Sequence, residues 1–190
     1  MISEPILEPV ARYFRFKQGL KYVNKRNKNV IVDLGCGPKI RFYHHCKKNG
    51  LIFNQYIGID PLARSKSIKL IKLIKHPLED QILLPSNSAN YVVGFAFIEH
   101  IDNPQLIAKE IIRVLKKGGR AILTTPTPNS KKILEFMAYK LGMISKREIR
   151  EHKHYFTKHE LIRLFKNLSV TNITHFYFEC KLNQIIIVDK

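Results

Sequence analysis

VIVDLGCGPK, residues 30–39, joins a short β-branched run to a turn carrying two glycines. A run of that length and composition, stopped by glycine, reads as a buried strand over 30–34. Outward from it the same alternation recurs. A helix fits 38–48 and stops at Asn49-Gly50, and YIGID (56–60) is a second strand ended by Pro61. A third strand fits 71–74, and YVVGFAF (91–97) is a fourth, almost wholly apolar. Asn103 then stands as a helix N-cap with Pro104 at the first helical position. Ile107, Ile111, Val114 and Leu115 form one apolar stripe, which Gly118-Gly119 ends. RAILTT (120–125) is a strand stopped by Pro126, helices fit 131–141 and 157–166, and strands at 172–178 and 184–188 close the chain as an antiparallel hairpin. Strands buried on both faces and separated by helices imply an α/β fold: a doubly wound, mostly parallel seven-stranded sheet. With no internal repeat, low-complexity tract or Pro/Gly-rich linker, one domain over 1–190 is expected.

The composition suits a globule, with 45% hydrophobic and 25% charged residues in 190. No apolar run approaches the ~18 residues of a membrane span, and the start MISEPILEP lacks the basic-then-apolar order of a secretory signal. Cys36, Cys46 and Cys180 have no CxxC spacing, so neither a disulfide framework nor structural zinc is expected, and a cytoplasmic setting is. Thirty-three Lys and Arg against 15 Asp and Glu give a net charge of +18. Such an excess attracts nucleic acid or an anionic membrane surface; it also reflects a chain heavy in Lys, Ile and Asn throughout. The densest cations, Arg12, Arg15, Lys17, Lys21, Lys25, Arg26 and Lys28, fall in a basic N-terminal helical segment, 1–29. There Phe14, Leu20 or Val23 would face the core and the cations would stay solvated.

In a doubly wound sheet, ligands bind beyond the carboxyl ends of the strands where strand order reverses. Asp33 closes the first strand, Gly35 and Gly37 let the backbone turn sharply, and Asp60 closes the second strand, where a carboxylate accepts both hydroxyls of a ribose. Glycines after a strand alone make only a turn; paired with a second acidic strand end they point to a nucleoside. A dinucleotide fingerprint wants G-x-G-x-x-G, and Ile40 occupies the third place, so the expected ligand lacks a pyrophosphate.

IVDLGCGPK, YIGIDP and the long block LPSNSANYVVGFAFIEHIDNPQLIAKEIIRVLKKGGRAILTTPTP together resemble the class I S-adenosylmethionine-dependent methyltransferases, most closely the small bacterial type 11 group. The likeness runs in order from Val30 to Pro128, and EHKHYFTKHELIRLF is similar to a segment that follows near the acceptor site in that group. The resemblance implies a Rossmann-like fold, S-adenosylmethionine as cofactor and S-adenosylhomocysteine as product. It sets Asp33, Gly35 and Gly37 beneath the methionine part and Asp60 on the ribose, with Pro61 and Leu62 against the adenine. Leu78 and Glu79 would stand at the adenine edge, and Phe95, Ala96 and Phe97 near the sulfonium. Lys39 stands where a glycine is usual, Pro77 where an acidic residue is common, and Ala89-Asn90 where the family has Phe-Asp. Little room remains after Asp60 for the usual helix.

Transfer from a sulfonium is an in-line displacement, and a base is needed only for a protonated acceptor. His100 is the first candidate, beside Glu99 on the acceptor side; a residue there also serves simply to start the next helix. His152, His154 and Tyr155 form the second group, the two histidines on one side of an extended segment. No third ligand with metal spacing accompanies them, so no metal is expected. The segment 128–156, with Phe136, Met137, Tyr139, Leu141, Met143 and Ile144, is the one insertion large enough to shape an acceptor pocket for a small-molecule, glycan or lipid-linked substrate. Two rival readings stand beside this: methylation of RNA or another polyanion, and a binding protein that has kept the fold and lost the activity.

Overall fold

The computed structural model describes residues 5–25 and 29–190. Arg26 and Lys28 of the expected basic segment, and its first four residues, lie outside the described residues. Helix α1 (Glu8–Leu20) precedes β1 (Asn29–Leu34), α2 (Arg41–Lys48) and β2 (Phe53–Asp60). Strands β3 (Lys66–Ile68), β4 (Ile71–Lys75) and β5 (Ala89–Phe95) lead to a 3-10 turn, Ile98–His100, and to α3 (Pro104–Val114). The chain continues through β6 (Leu115–Pro126), α4 (Lys131–Tyr139), α5 (Lys146–Arg150), α6 (Lys158–Lys166), β7 (Asn172–Phe178) and β8 (Asn183–Asp189).

The sheet has eight strands, ordered β3-β4-β2-β1-β5-β6-β8-β7. The expected seven are all present. The eighth, β3, pairs antiparallel with β4 at the edge, and its three residues are exposed, so no apolar pattern marks it. Strands β4, β2, β1, β5 and β6 run parallel, whereas β8 and β7 are antiparallel. Order reverses at β1, which lies between β2 and β5. The crevice beyond the ends of β1 and β5 is therefore where ligands are expected.

Two cores sandwich the sheet. Ile107, Ile111 and Val114 of α3 and Leu161 and Phe165 of α6 cover one face; Phe16 and Leu20 of α1 and Phe42 and Cys46 of α2 cover the other. Leu20 and Val23 are buried as expected, but Phe16 takes the core position and Phe14 is exposed. Caps fix both helices of the first face. Asn103 accepts from the Leu106 N–H, as its N-cap signal predicts, and Thr157 and Glu160 form a reciprocal capping box. The Lys-Lys-Gly-Gly turn is absorbed into β6 as an irregularity, since pairing with β5 jumps from Leu115 to Arg120. Asn90 fills in a neighbouring rung: its side-chain carbonyl accepts from the Val30 N–H at 3.0 Å. The irregular link from β4 to β5 is held by Arg113, which donates to the Ile82 and Leu84 carbonyls at 2.9 Å each and pairs with Glu110.

Candidate functional site

The turn after β1 is built around two left-handed glycines, Gly35 at φ +72° and Gly37 at φ +64°. Between them Cys36 is buried, with Gly58 of β2 beneath it: a Cβ at Gly58 would stand 2.7 Å from its sulfur. A Cβ at Gly35 would meet the Phe97 ring at 3.2 Å, whereas one at Gly37 would meet nothing within 4 Å. Gly37 thus borders open space that a ligand can enter. The loop is tied across the sheet, because Gly37 N–H donates to Asp60 Oδ2 at 2.9 Å and Leu62 N–H donates to Oδ1 at 2.7 Å. Asp60 therefore shapes the glycine turn before touching any ligand, a role its strand-end position did not announce. Each carboxylate oxygen keeps a second lone pair for a hydroxyl.

Asp33 is buried and accepts a hydrogen bond from the Tyr56 hydroxyl. Burial pushes its carboxyl up to about 7 against the opposing Tyr56 hydrogen bond, and the charge of Asp60 adds to the rise. Of the other residues expected around a cofactor, Pro61 and Leu62 are exposed, Glu79 is exposed, and Leu78 is buried in the core with φ +60°. Ala96 also has positive φ and donates to the Thr124 carbonyl at 3.0 Å. The Phe95 ring packs against Phe16 and Phe42, with centroids 5.0 and 4.5 Å away.

Beyond β5 the 3-10 turn sets Glu99 and His100 beside the segment leaving α5. The N–H groups of Lys153 and His154 both donate to the Glu99 carbonyl, at 2.9 and 3.1 Å. This double clip brings His152 to His100, ring centroids 4.9 Å apart, and to Tyr155, whose hydroxyl lies 3.0 Å from His152 Nδ1. His154 does not share that side; its ring stacks on Phe156 at 5.3 Å. The expected side-by-side histidines are separated because two consecutive N–H groups converge on one carbonyl, which breaks the alternation of an extended segment. His100 Nδ1 lies 3.0 Å from the Glu151 carbonyl.

Glu99 is fully buried, and neither of its carboxylate oxygens has a hydrogen-bond partner. Burial raises its pKa, with His100 opposing most among the neighbouring side chains, followed by Arg15 and Thr125. Burial likewise pushes His152 down to about 4, and the charges of His100 and Arg15 act the same way. The Tyr155 hydroxyl is pushed up to about 12, first by burial and then by Glu135, Glu99 and Tyr139. Arg15 was expected to be solvated. Its side chain is only 12% exposed, paired with Glu8 at 2.7 Å, and its Nε has no hydrogen-bond partner. Its place in a run of cations hid that role. In the 128–156 segment, Phe136, Tyr139 and Leu141 are exposed, while Ile144 is buried.

A family model described as a methyltransferase domain matches residues 8–175. The ubiquinone biosynthesis O-methyltransferase of Vibrio atlanticus is 23% identical over 159 residues, covering 78% of this chain and 67% of the relative. Curated relatives are longer, and the chain spans from half to two thirds of their length. Among solved structures, a chain of the complex between the Haloferax volcanii Trm112 methyltransferase activator and its candidate methyltransferase superposes with a TM-score of 0.73 at 14% identity, over 96% of this chain and 91% of that one. A SAM-dependent methyltransferase from Archaeoglobus fulgidus gives 0.68 at 17% identity, over 96% and 94%. Among the described residues no helix is long and apolar enough to cross a membrane.

Proposed function

The chain belongs to the methyltransferase-domain family, and from that premise we propose that it transfers a methyl group from S-adenosylmethionine to a hydroxyl acceptor of partly apolar character. The observation that carries the reading is Asp60. It ends β2 beside the strand-order reversal, orders the Gly35–Gly37 turn, and keeps lone pairs for ribose hydroxyls next to the open space over Gly37. A nucleoside fits that donor and acceptor set.

The cofactor, when bound, supplies a methyl group already activated on a sulfonium. The chain's own residues then have three tasks. Asp60 and the glycine turn bind and orient the nucleoside end, with Asp33 and Ala96 close to its methionine part and Phe97 walling the turn. Glu99, His100, His152 and Tyr155 line the acceptor side and receive the acceptor's polar atom, whose proton is lost as the methyl arrives. The exposed side chains of α4 and its following turn, Phe136, Tyr139 and Leu141, cover the acceptor's apolar body and exclude water. A hydroxyl acceptor is favoured by similarity to O-methyltransferases named for ubiquinone biosynthesis.

Calorimetry with S-adenosylhomocysteine tests the reading. Wild-type protein should bind one equivalent, and Asp60→Ala should weaken binding by 1.5–3 kcal/mol, roughly 10- to 100-fold, the usual range for a hydrogen bond to a charged group. Because the same substitution frees two loop N–H groups, Asp60→Asn is the paired variant; its carbonyl still accepts one of them. Unchanged affinity in both would remove the nucleoside from this crevice.

A polyanionic acceptor is the second reading, favoured by the groove of about 250 Å³ between α1 and α2, where Arg12, Arg41, His44, His45 and Lys48 stand beside Pro9, Tyr13 and Phe16. Retention on heparin that collapses steeply with salt would support it.

A further inference from the structure

We propose that Glu99, His100 and His152 bind one divalent transition-metal cation of the zinc class, leaving an open coordination position that takes the acceptor's oxygen. This rests on the methyltransferase reading only for the identity of what fills the open position. The three side chains offer one carboxylate oxygen and two imidazole nitrogens, all within 4.8 Å of one another, the single such cluster among the described residues. In a tetrahedral zinc site, Zn–N and Zn–O bonds of about 2.0–2.2 Å set the ligands ~3.3 Å apart, so modest side-chain rotation closes the cluster on an ion. Three protein ligands with one vacant place is the arrangement of zinc sites that act on a substrate, and mixed imidazole and carboxylate donors suit zinc and its first-row neighbours better than calcium or magnesium.

Two further features point the same way. Glu99 is fully buried and neither oxygen has a hydrogen-bond partner, so among side chains only the charges of His100 and Arg15 and the neighbouring Thr125 hydroxyl offset its burial. A buried carboxylate without hydrogen bonds is unfavourable, and a cation at the cluster would reduce that penalty. The outer groups are also set for ligation. A hydrogen on His100 Nδ1 donates to the Glu151 carbonyl, leaving Nε2 with its lone pair, and His152 Nδ1 has the Tyr155 hydroxyl. Metal-binding histidines are held in this way through their second nitrogen. The two hydrogen bonds onto the Glu99 carbonyl fix the histidine-bearing segment against the carboxylate-bearing turn, so the ligands arrive together although they are far apart in sequence.

The test uses the full chain stripped with a chelator. Calorimetric titration with Zn²⁺ should give one site per chain, and Co²⁺ should give the visible absorption of a low-symmetry, four- or five-coordinate ion. Glu99→Gln and His152→Ala should each weaken Zn²⁺ binding at least 10-fold and remove the cobalt band, while His45→Ala, on the α1–α2 side, should change neither. Circular dichroism and S-adenosylhomocysteine binding report whether each variant is folded. Zn²⁺ affinity and cobalt spectra that are equal in wild type, Glu99→Gln and His152→Ala overturn the proposal, and so does a wild-type chain that binds neither ion. If that chain still binds S-adenosylhomocysteine, the cofactor reading stands without the metal. A chain that binds Zn²⁺ through these residues and does not bind the nucleoside keeps the metal site and loses the cofactor reading.

Discussion

Asp33 ties folding stability to pH in a direction opposite to most carboxylates. Its ordinary value of 3.8 rises to about 7 in the folded chain because burial strips water from the charge, despite the hydrogen bond from Tyr56. Below pH 3.8 both folded and unfolded chains hold the proton and no penalty exists. Between 3.8 and 7 the unfolded chain ionises while the folded one stays protonated, so the folded state binds more protons and stability falls as pH rises. At ~1.4 kcal/mol per pH unit the loss amounts to ~4 kcal/mol, and it levels off above pH 7, where both states are ionised. Asp33→Asn keeps an acceptor for Tyr56 and removes the charge, but its amide brings a buried donor that costs about 1–3 kcal/mol if unpaired. The variant should therefore be ~1–3 kcal/mol more stable than wild type at pH 8, a rise in melting temperature of roughly 2–10 °C for a chain of this size. It should lose that advantage, and become the less stable of the two, near pH 4. Urea denaturation at half-unit steps from pH 4 to 8 measures the difference between the two proteins, in which the other titrating groups cancel. A second readout concerns binding: if the cofactor's ammonium lies near Asp33, affinity for S-adenosylhomocysteine should rise with pH up to about 7 in wild type and be flat in the variant. A stability difference that does not change across the range would refute the buried-charge argument.

Gly35→Ala should lower S-adenosylhomocysteine affinity at least 10-fold. It should also destabilise the fold by ~1–2 kcal/mol, because φ +72° is strained for alanine and the new methyl stands 3.2 Å from Phe97; normal calorimetry would show the turn to be only a connector. Gly19→Ala inverts the usual helix rule. Alanine ordinarily gains about 0.5–1 kcal/mol in a helix, but here its methyl would lie 2.6 Å from Phe95 Cζ, so the ring, packed against Phe16 and Phe42, or α1 must shift, and stability should fall by ~1–3 kcal/mol in urea titrations. A more stable Gly19→Ala protein would mean that α1 is not seated tightly on β5.

Features with local causes were legible in the chain. Asn103-Pro104 declares its helix through a hydrogen bond three residues long, and strands β1, β2 and β5 announce themselves by β-branched runs against a turn. Asp60 was legible as a strand-end carboxylate, but its hold on Gly37 was not, since that contact joins two strand ends. The Tyr56–Asp33 pair is hidden for the same reason: Tyr56 reads as one more apolar strand residue until β1 and β2 are in register. Strand β3 escaped because an exposed edge strand needs no apolar pattern, only a neighbour offering hydrogen bonds. Arg15 was misread because a cation amid cations looks solvated; Glu8 meets it two turns away on the same helix, and only α1's seat on the sheet brings Glu99 near it.

The distribution of unpaired polar groups then separates what the sheet does at its two ends. At the amino ends of its parallel strands two cations are held by the chain itself. Arg120 pairs with Asp189 at 2.5 Å and donates to the Tyr22 carbonyl, while the Lys190 ammonium bonds the Leu115 carbonyl at 2.6 Å and Asn87 at 2.9 Å. The buried side-chain atoms left without partners among the described residues are Arg15 Nε, both oxygens of Glu99, and Thr125 Oγ1. Glu99 follows β5, Thr125 closes β6, and Arg15 acts electrostatically on Glu99 and His152. Desolvated groups of this kind work against folding unless something satisfies them. Had packing alone shaped this end, an apolar residue at Glu99 would serve better, since its backbone carbonyl already makes the two bonds that fix the neighbouring segment. The carboxylate itself makes no hydrogen bond, and on the proposed acceptor side a ligand would relieve its cost to folding.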